Sequence, residues 1–246
     1  MEKIILEVIE MKKKYHDANI LKGINFKMQK SEFVAVMGAS GSGKTTFLNC
    51  ISTMEKFEGG TVNFNGVNVS EFNEKELAVF RRDKLGFIFQ EYNLLDTLTI
   101  RENIVLPLTL GQKKEFVQKV EKLAKLFQIE YILDKLPAKV SGGERQRCAC
   151  VRALIKEPSI ILADEPTGAL DQNASRILMR SMCKMNEEFG TSILMVTHDP
   201  FSASYTDRVV FIQDGKIARE LCRNSQNQER YLDEILRNLY AEGRDF

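Results

Sequence analysis

A phosphate-binding pattern lies near the start of the chain. It fits G-x-x-x-x-G-K-[ST] with no mismatch and consists of Gly38, Ala39, Ser40, Gly41, Ser42, Gly43, Lys44, Thr45 and Thr46. Such a loop exposes backbone N–H groups at a helix N-terminus, where the helix dipole favours bound negative charge. We therefore expect Lys44 to contact the β- and γ-phosphates of a nucleoside triphosphate and the hydroxyl of Thr45 to ligate Mg²⁺.

Two acidic residues follow an apolar run at 160–163. A buried strand that delivers a carboxylate at its carboxyl end is one way to hold Mg²⁺, so we expect Asp164 to bind the ion through water. Glu165 would then polarise the water that attacks the γ-phosphate. Many strands end in an acid, and only the position of this pair after a complete phosphate loop makes the pattern specific.

His198 directly follows another apolar run, 192–197. Open α/β sheets bind their ligands beyond the carboxyl ends of the strands. We therefore expect His198 to hydrogen-bond the γ-phosphate and the catalytic water. A structural role is the alternative for a single histidine.

A second helix start lies at residues 140–147, with Ser141 as the cap and Gly142 and Gly143 predicted to be exposed ahead of a long helix. It resembles an anion site without a lysine, and the phosphate loop already serves the nucleotide of this chain. We expect this turn to contact the phosphate held by another copy. Two chains related by a two-fold axis, head to tail, would then enclose two nucleotides.

The elements that position these residues follow from hydrophobic patterning. A helix is predicted at 45–52, and Asn65-Gly66 marks a tight turn. The two apolar runs at 159–163 and 192–197 are typical of parallel strands covered on both faces. The predicted strands are 4–11, 20–28, 33–37, 61–64, 85–90, 159–163, 192–197 and a hairpin at 209–212 and 216–221.

Helical periodicity dominates residues 93–157, with one apolar stripe formed by Val117, Val120, Leu123, Ala124 and Phe127. This stretch is predicted to be an inserted helical lobe. The tail repeats apolar residues at helical spacing: Tyr231, Leu232, Ile235, Leu236, Leu239 and Tyr240. We expect the tail to pack on its own domain, and a helix that docks on a partner is the alternative.

The composition limits the class of protein. A formal net charge of +1 gives no support for nucleic-acid binding, and Lys12, Lys13 and Lys14 are expected to be a solvated strand end. The apolar runs are too short to span a bilayer. The five scattered cysteines make no disulfide framework, so they are predicted to be small buried hydrophobes in a reducing compartment.

Taken in order, these motifs resemble those of an ATP-binding cassette ATPase from end to end. The resemblance implies an α/β fold: a P-loop NTPase core with a mostly parallel sheet, an N-terminal antiparallel β subdomain and an inserted α-helical subdomain. The implied division of the single ATPase domain is a core of residues 1–92 and 158–225, a helical signature subdomain of 93–157 and a C-terminal helix of 226–246.

The resemblance also assigns roles to residues that the patterns alone do not. Tyr15 is expected to stack on adenine, and Gln90 to touch Mg²⁺ and the attacking water. The signature residues Ser141, Gly142, Gly143 and Glu144 are expected to contact the nucleotide. Glu144 departs from the family pattern, in which glutamine is common, and an acid near a γ-phosphate would weaken that contact.

Segments 87–95 and 164–171 resemble the branch of lipoprotein-release, macrolide and cell-division ATPases, and 93–99 and 197–205 resemble its bacitracin-efflux type. The implied partners are a second copy of the chain, a permease of about ten membrane-spanning helices and, through the permease, a sensor kinase. The implied cofactors are ATP and Mg²⁺, and the location is the cytoplasmic face of the cell membrane. The alternatives are another cargo or a soluble cassette ATPase.

Overall fold

The computed structural model describes residues 3–108 and 113–242. Within them the strands are Ile4–Tyr15 (β1), Ala18–Gln29 (β2), Phe33–Met37 (β3), Gly59–Phe64 (β4), Val67–Asn68 (β5), Leu85–Ile88 (β6), Ile160–Asp164 (β7), Ser192–Val196 (β8), Arg208–Gln213 (β9) and Lys216–Cys222 (β10). The α-helices are Lys44–Ile51 (α1), Glu74–Lys84 (α2), Ile100–Val105 (α3), Lys113–Leu126 (α4), Gly142–Leu154 (α5), Gln172–Phe189 (α6), Pro200–Ala203 (α7) and Gln228–Glu242 (α8).

Two sheets organise the chain. The first is antiparallel, with strand order β2-β1-β4-β5, and the second has the order β10-β9-β3-β8-β7-β6. Strands β9, β3, β8, β7 and β6 run parallel, and β10 pairs antiparallel with β9 at the edge. The predicted α/β fold with a mostly parallel sheet and an antiparallel β subdomain is confirmed.

The central strand β3 shows why its sequence is apolar throughout. Phe33, Ala35 and Met37 lie in a core formed with helices α3, α4, α5, α6 and α8. Val34 and Val36 lie in a second core, between this strand and the antiparallel sheet. A strand covered on both faces has no solvent side, so the alternation of apolar and polar residues disappears. Helix α1, which follows this strand, packs in the second core.

Hydrophobic patterning does not predict helix α2, because it favours strands in the first third of the chain apart from the helix at 45–52. Its periodicity is weak, since Phe80 is its only buried side chain. The local signal was the capping box, in which Asn73 accepts from the N–H of Glu76 and Glu76 accepts from the N–H of Asn73. Helix α6, capped by Asp171, was also left unassigned.

The inserted segment is helical as predicted, with α3, α4 and α5 packed on one another. Four members of the predicted stripe of α4 are buried, but Val117 is 49% exposed because it lies at the margin of the stripe. Helix α8 packs on its own domain through the buried side chains of Tyr231 and Ile235, as expected. The side chain of Tyr240 lies outside the described residues.

The cysteines agree with their predicted role except at one position. Cys50, Cys148 and Cys150 are buried, and Cys183 is half-buried. Cys222 is exposed, because it ends the edge strand β10, so the prediction that all five are buried is wrong there. Among the described helices, none is both long and apolar enough to cross a membrane.

Candidate nucleotide-binding site

The loop at residues 38–43 joins the end of β3 to the start of α1. Gly41 and Gly43 have φ values of +80° and +102°, a region that other residues seldom adopt. A Cβ atom on Gly38 would lie 2.2 Å from the carbonyl oxygen of Ile212. Among the described residues no side chain caps α1, so its first N–H groups remain available to an anion.

Lys44 is buried at the base of this loop. Its ammonium donates to the carbonyl oxygens of Gly38 at 2.9 Å and Ala39 at 2.8 Å. Burial lowers the pKa of Lys44, and the nearby charges of Glu165 and Asp164 oppose this shift. The loop therefore combines free N–H groups with a positive charge, which together can bind a polyphosphate.

Thr45 and Asp164 meet at the end of β7. The Thr45 hydroxyl donates to Asp164 Oδ1 at 3.2 Å. Burial raises the pKa of Asp164, while the hydrogen bond from Thr45 lowers it. Two protein oxygen ligands fit Mg²⁺, which keeps several waters and takes its other ligands from phosphates. The described residues hold no cluster of three or more His, Cys, Asp or Glu side chains suited to a metal.

Glu165 and His198 lie side by side at the ends of the neighbouring parallel strands β7 and β8. His198 Nδ1 is 2.9 Å from Glu165 Oε2. Glu165 has a φ of +46°, and its N–H donates to the carbonyl oxygen of Val196 at 2.9 Å. The backbone turn thus fixes the carboxylate beside the imidazole, where the pair can orient a water molecule.

Gln90 comes shortly after β6, the strand that pairs with β7. A Cβ atom on Gly168 would lie 3.1 Å from Gln90 Nε2, so this amide faces the turn that follows Glu165. The candidate residues Lys44, Gln90, Glu165 and His198 therefore follow four adjacent parallel strands: β3, β6, β7 and β8. The sheet topology, not the spacing in sequence, assembles the site.

Tyr15 lies at the end of β1 with 41% of its surface exposed. Its hydroxyl donates to Glu55 Oε2 at 2.5 Å, and the Lys13 ammonium lies 5.0 Å from its ring centroid.

Lys13 is buried and donates to the carbonyl oxygen of Lys56 at 2.7 Å, so the expectation of a solvated strand end is wrong for this lysine. It holds only for Lys12 and Lys14.

One cleft of about 1050 Å³ joins Tyr15 to the phosphate loop, Glu165 and His198. Several of its other lining residues belong to no sequence motif and come from β2, from β9 and the turn after it, and from α8. Only the path of the chain in space brings them to the loop. They are Asn19, Ile20, Lys22, Ile212, Gln213, Asp214, Gly215 and Leu239.

The signature turn, defined as residues 141–144, is not part of the described lining of this cleft. Ser141 is exposed and caps α5, but the two glycines lie inside the first turn of the helix, not ahead of it. Gly142 is half-buried and Gly143 is buried, so the prediction that both are exposed is wrong. A Cβ on Gly143 would lie 2.9 Å from the Cβ of Ala174, because α6 packs against this turn.

Glu144 is held within its own chain. Its Oε2 accepts from the Ser141 N–H at 2.6 Å and from the Ser141 hydroxyl at 2.8 Å, and its Oε1 accepts from the Tyr131 hydroxyl. Burial would raise the pKa of Glu144, but these hydrogen bonds outweigh it and the pKa lies below its usual value. The carboxylate is thus charged and fixed at the start of α5.

The sequence profile of the ABC transporter family matches residues 21–168, a region that includes the phosphate loop, Gln90, the signature turn and Glu165. The chain belongs to the ABC transporter family. It is 46% identical to the bacitracin export ATP-binding protein BceA of Halalkalibacterium halodurans, over 95% of this chain and 94% of that one. It is 42% identical to the macrolide export ATP-binding/permease protein MacB of Campylobacter jejuni, over 87% of this chain and 33% of that one.

Solved structures of the ABC family share this fold. The dimeric structure of the cassette MJ0796 superimposes with a TM-score of 0.81 at 36% identity and covers 89% of this chain and 98% of that one. A post-hydrolysis dimer of the same cassette, bound to ADP and Pi, matches equally well. The chain is therefore an ATP-binding ABC ATPase with the P-loop NTPase fold.

Proposed function

We propose that this chain is the ATP-hydrolysing subunit of a transporter that protects a bacterium against cell-wall-targeting peptide antibiotics such as bacitracin. One observation carries the proposal, namely 46% identity to BceA over nearly the whole length of both chains. Similarity to the macrolide export protein MacB, of which this chain spans only 33%, favours a macrolide cargo as the second candidate.

In this proposal the phosphate loop binds ATP through its N–H groups and Lys44. The Lys44 ammonium already lies inside the loop, where a β- or γ-phosphate oxygen would be a further acceptor. Tyr15 stacks on the adenine ring, and its hydroxyl bond to Glu55 fixes the ring at the mouth of the cleft. The whole loop contributes to this contact: Gly38, Ala39, Ser40, Gly41, Ser42, Gly43, Lys44, Thr45 and Thr46.

Thr45, Gln90 and Asp164 provide the oxygen atoms that would hold Mg²⁺, which when bound neutralises charge on the phosphates. Glu165 acts as the base that polarises the attacking water. His198 orients both the carboxylate and the water, and its 2.9 Å contact with Glu165 Oε2 supports this division of roles. These three functions draw on residues that follow adjacent strands of one sheet.

The signature turn completes the site of a second copy. Its separation from the cleft of its own chain supports this assignment, as does the similarity to a cassette whose structure is dimeric. Ser141, Gly142, Gly143 and Glu144 would face the γ-phosphate bound by the other chain. A two-fold dimer then encloses two ATP molecules, and hydrolysis reopens it.

The chain acts at the cytoplasmic face of the cell membrane on a permease of about ten spanning helices. A sensor kinase contacts it only through the permease, and the near-zero net charge of +1 supports no nucleic-acid partner. We divide the chain into a core of residues 1–92 and 158–225, a helical signature subdomain of 93–157, and a C-terminal segment of 226–246 that contains α8, Gln228–Glu242. Helices α3, α4 and α5 all fall within the second of these regions.

Replacement of Glu165 by Gln tests the catalytic assignment. Because the carboxylate acts on water and not on the nucleotide, ATP binding should persist while turnover falls at least ~10²-fold. A closed dimer should accumulate with ATP, as measured by size-exclusion chromatography. The exposed residue Glu71 provides the control, since Glu71→Gln should leave turnover unchanged. Turnover of Glu165→Gln within a few-fold of the parent would remove it from the role of base.

A mixed dimer of one Gly142→Asp chain and one Lys44→Ala chain tests the signature turn. If this turn acts on the other copy, both defects fall on one composite site and the second site stays intact. Hydrolysis at this second site should then remain measurable, because the site keeps an unchanged phosphate loop and an unchanged signature turn. Loss of hydrolysis at both sites would show that the turn acts within its own chain.

We place the permease contact on residues 90–101, because this segment lies between the core strand β6 and the helical subdomain. Leu95→Asp tests this contact. Leu95 is 48% exposed, while its backbone is held by Asn103, which accepts from the Leu95 N–H at 2.8 Å. The variant should fold and bind ATP, yet fail to co-purify with its permease and lose bacitracin resistance in cells. Leu94, which packs on the core, provides the contrast because Leu94→Asp should lower the melting temperature. A Leu95→Asp protein that still binds the permease and protects would contradict the contact.

A further inference from the structure

The segment that follows Gln90 has an unusual backbone. Tyr92 and Asn93 are consecutive residues other than glycine, with φ values of +51° and +49°. Left-handed conformations cost such residues free energy and persist only where surrounding groups hold them. We call these two left-handed residues, Tyr92 and Asn93, the kink. Because the kink lies two residues after Gln90, the contacts that hold it also help to fix the position of Gln90.

One of these contacts is the guanidinium of Arg152 near the end of α5. It donates to the carbonyl oxygen of Tyr92 at 2.7 Å and to that of Asn93. Burial lowers the pKa of Arg152, and among the described residues it forms no ion pair with a carboxylate. This cation thus serves the two carbonyl groups of the kink.

A second contact precedes Gln90. Gln146, also on α5, is fully buried, and its Nε2 donates to the carbonyl oxygen of Phe89 at 3.1 Å. Its Oε1 is buried without a hydrogen-bond partner among the described residues. An unpaired buried acceptor lowers stability, so an apolar side chain here would gain stability by removing Oε1 and lose stability by removing the hydrogen bond to Phe89.

The first turn of the same helix contacts Tyr92. The Arg145 guanidinium lies 5.1 Å from the Tyr92 ring centroid. A Cβ on Gly142 would lie 2.9 Å from the Tyr92 hydroxyl, so this hydroxyl sits against the signature turn. Helix α5 therefore contacts the chain on both sides of Gln90, at Phe89 and at Tyr92, and the signature turn lies at its N-terminal end.

We propose that Gln146 and Arg152 are positioning residues for Gln90. They hold its backbone at Phe89 and at Tyr92 and Asn93, and through α5 they link its position to that of the signature turn. This inference rests on the proposed role of Gln90 at the phosphates.

The test uses Arg152→Met and Gln146→Met in the full chain, with Arg81→Met as the matched control. Arg81 likewise donates to the carbonyl of a residue with positive φ, Thr53, at 3.0 Å, but on α2. We expect kcat to fall about tenfold in the first two variants with little change in KM, because a misplaced group reduces the rate more than binding.

Stability separates positioning from a general structural role. Gln146→Met should keep the parental melting temperature, since it also removes the unpaired acceptor, while Arg81→Met should lose stability but keep kcat. Arg152→Lys should recover part of the lost kcat, because an ammonium can still donate to one carbonyl. Parental kcat in Gln146→Met and Arg152→Met, or kcat that follows the melting temperature in all variants, would overturn the proposal.

Gln90→Ala distinguishes this proposal from the one on which it rests. If Gln90→Ala is slow, the double variant with Arg152→Met should be no slower, because both changes act through the same group. Additive losses would contradict the link between them. A Gln90→Ala protein with parental kcat would instead reject the role of Gln90 itself, and the positioning role with it.

Discussion

Two helices of this molecule, α1 and α5, begin at turns that the sequence predicts to bind phosphate, and they begin differently. At α1 the N-cap is Gly43, with a φ of +102° and no side chain to satisfy the first N–H groups. At α5 the cap is Ser141, whose hydroxyl accepts from the Glu144 N–H at 3.3 Å while Glu144 reaches back to the Ser141 N–H. The first N–H groups of α1 therefore have no side-chain cap among the described residues, whereas the N-terminus of α5 is capped by its own side chains.

The charges differ as well. The α1 turn contains the Lys44 ammonium, whereas the α5 turn contains the Glu144 carboxylate. Because a helix N-terminus already favours an anion, the carboxylate partly satisfies α5 before any phosphate arrives. The capping box engages the N–H groups of Ser141 and Glu144 and leaves those of Gly142 and Gly143 outside it. In the proposed function, α1 therefore binds the nucleotide on its own, and α5 adds to a phosphate that the loop of another copy holds.

Lys44→Ala should have the largest effect, because it removes the feature that most distinguishes the two starts. Loss of a hydrogen bond from a charged group should weaken ATP binding about 10- to 100-fold. Isothermal titration calorimetry with a non-hydrolysable ATP analogue measures the dissociation constants of the parent and the variant. Lys22 lines the same cleft but is exposed, so Lys22→Ala is the control. Equal affinities of the two variants would contradict the assignment of Lys44.

Ser141→Ala should have an intermediate effect. Loss of the cap should cost about 1 kcal/mol and lower the melting temperature by about 2–4 °C. Thr99 forms the same capping box with Glu102 at α3, so Thr99→Ala should cost a similar amount of stability. Only Ser141→Ala should also slow ATP turnover. Equal turnover in the two variants would show that the Ser141 cap only stabilises α5 and has no part in ATP hydrolysis.

Glu144→Gln should have a smaller effect, in the opposite direction. Removing a negative charge from the α5 turn should strengthen ATP-induced dimerisation by about two- to fivefold, which corresponds to roughly 0.3–1 kcal/mol. Analytical ultracentrifugation with ATP, in a Glu165→Gln background that prevents hydrolysis, measures this change. Glu102→Gln provides the matched control at α3. Weaker dimerisation of Glu144→Gln would mean that the carboxylate supports the contact.

The smallest effect concerns pH. The pKa of Glu144 is below its ordinary value of 4.5, so its charge stabilises the folded state above that pH, and this contribution is lost as the pH falls through the lowered pKa. The difference in unfolding free energy between the parent and Glu144→Gln should be constant from about pH 7 to 5 and shrink below about pH 4. Urea denaturation of both proteins near pH 7 and below about pH 4 measures this difference in unfolding free energy. A difference that grows on acidification would contradict the sign.

The phosphate loop and the strand before it could be predicted because their signals are local. The glycines at 38, 41 and 43 and the unbroken apolar run at 33–37 each reflect a constraint on their own backbone. Helix α2 could not be found by periodicity, because it buries little apolar surface. The burial of Lys13 escaped prediction for another reason: its partners Glu55 and Glu58 lie on a different stretch of chain.

The sequence by itself determined the family, the order of the motifs and the residue types at the nucleotide site, because each motif needs particular side chains at short range. Only the tertiary structure decided which residues meet. The order of β3, β8, β7 and β6 in the sheet brings Glu165 to His198 and Asp164 to Thr45. The packing of α5 fixes the backbone around Gln90. Such contacts depend on the path of the chain between distant segments, and no local pattern records that path.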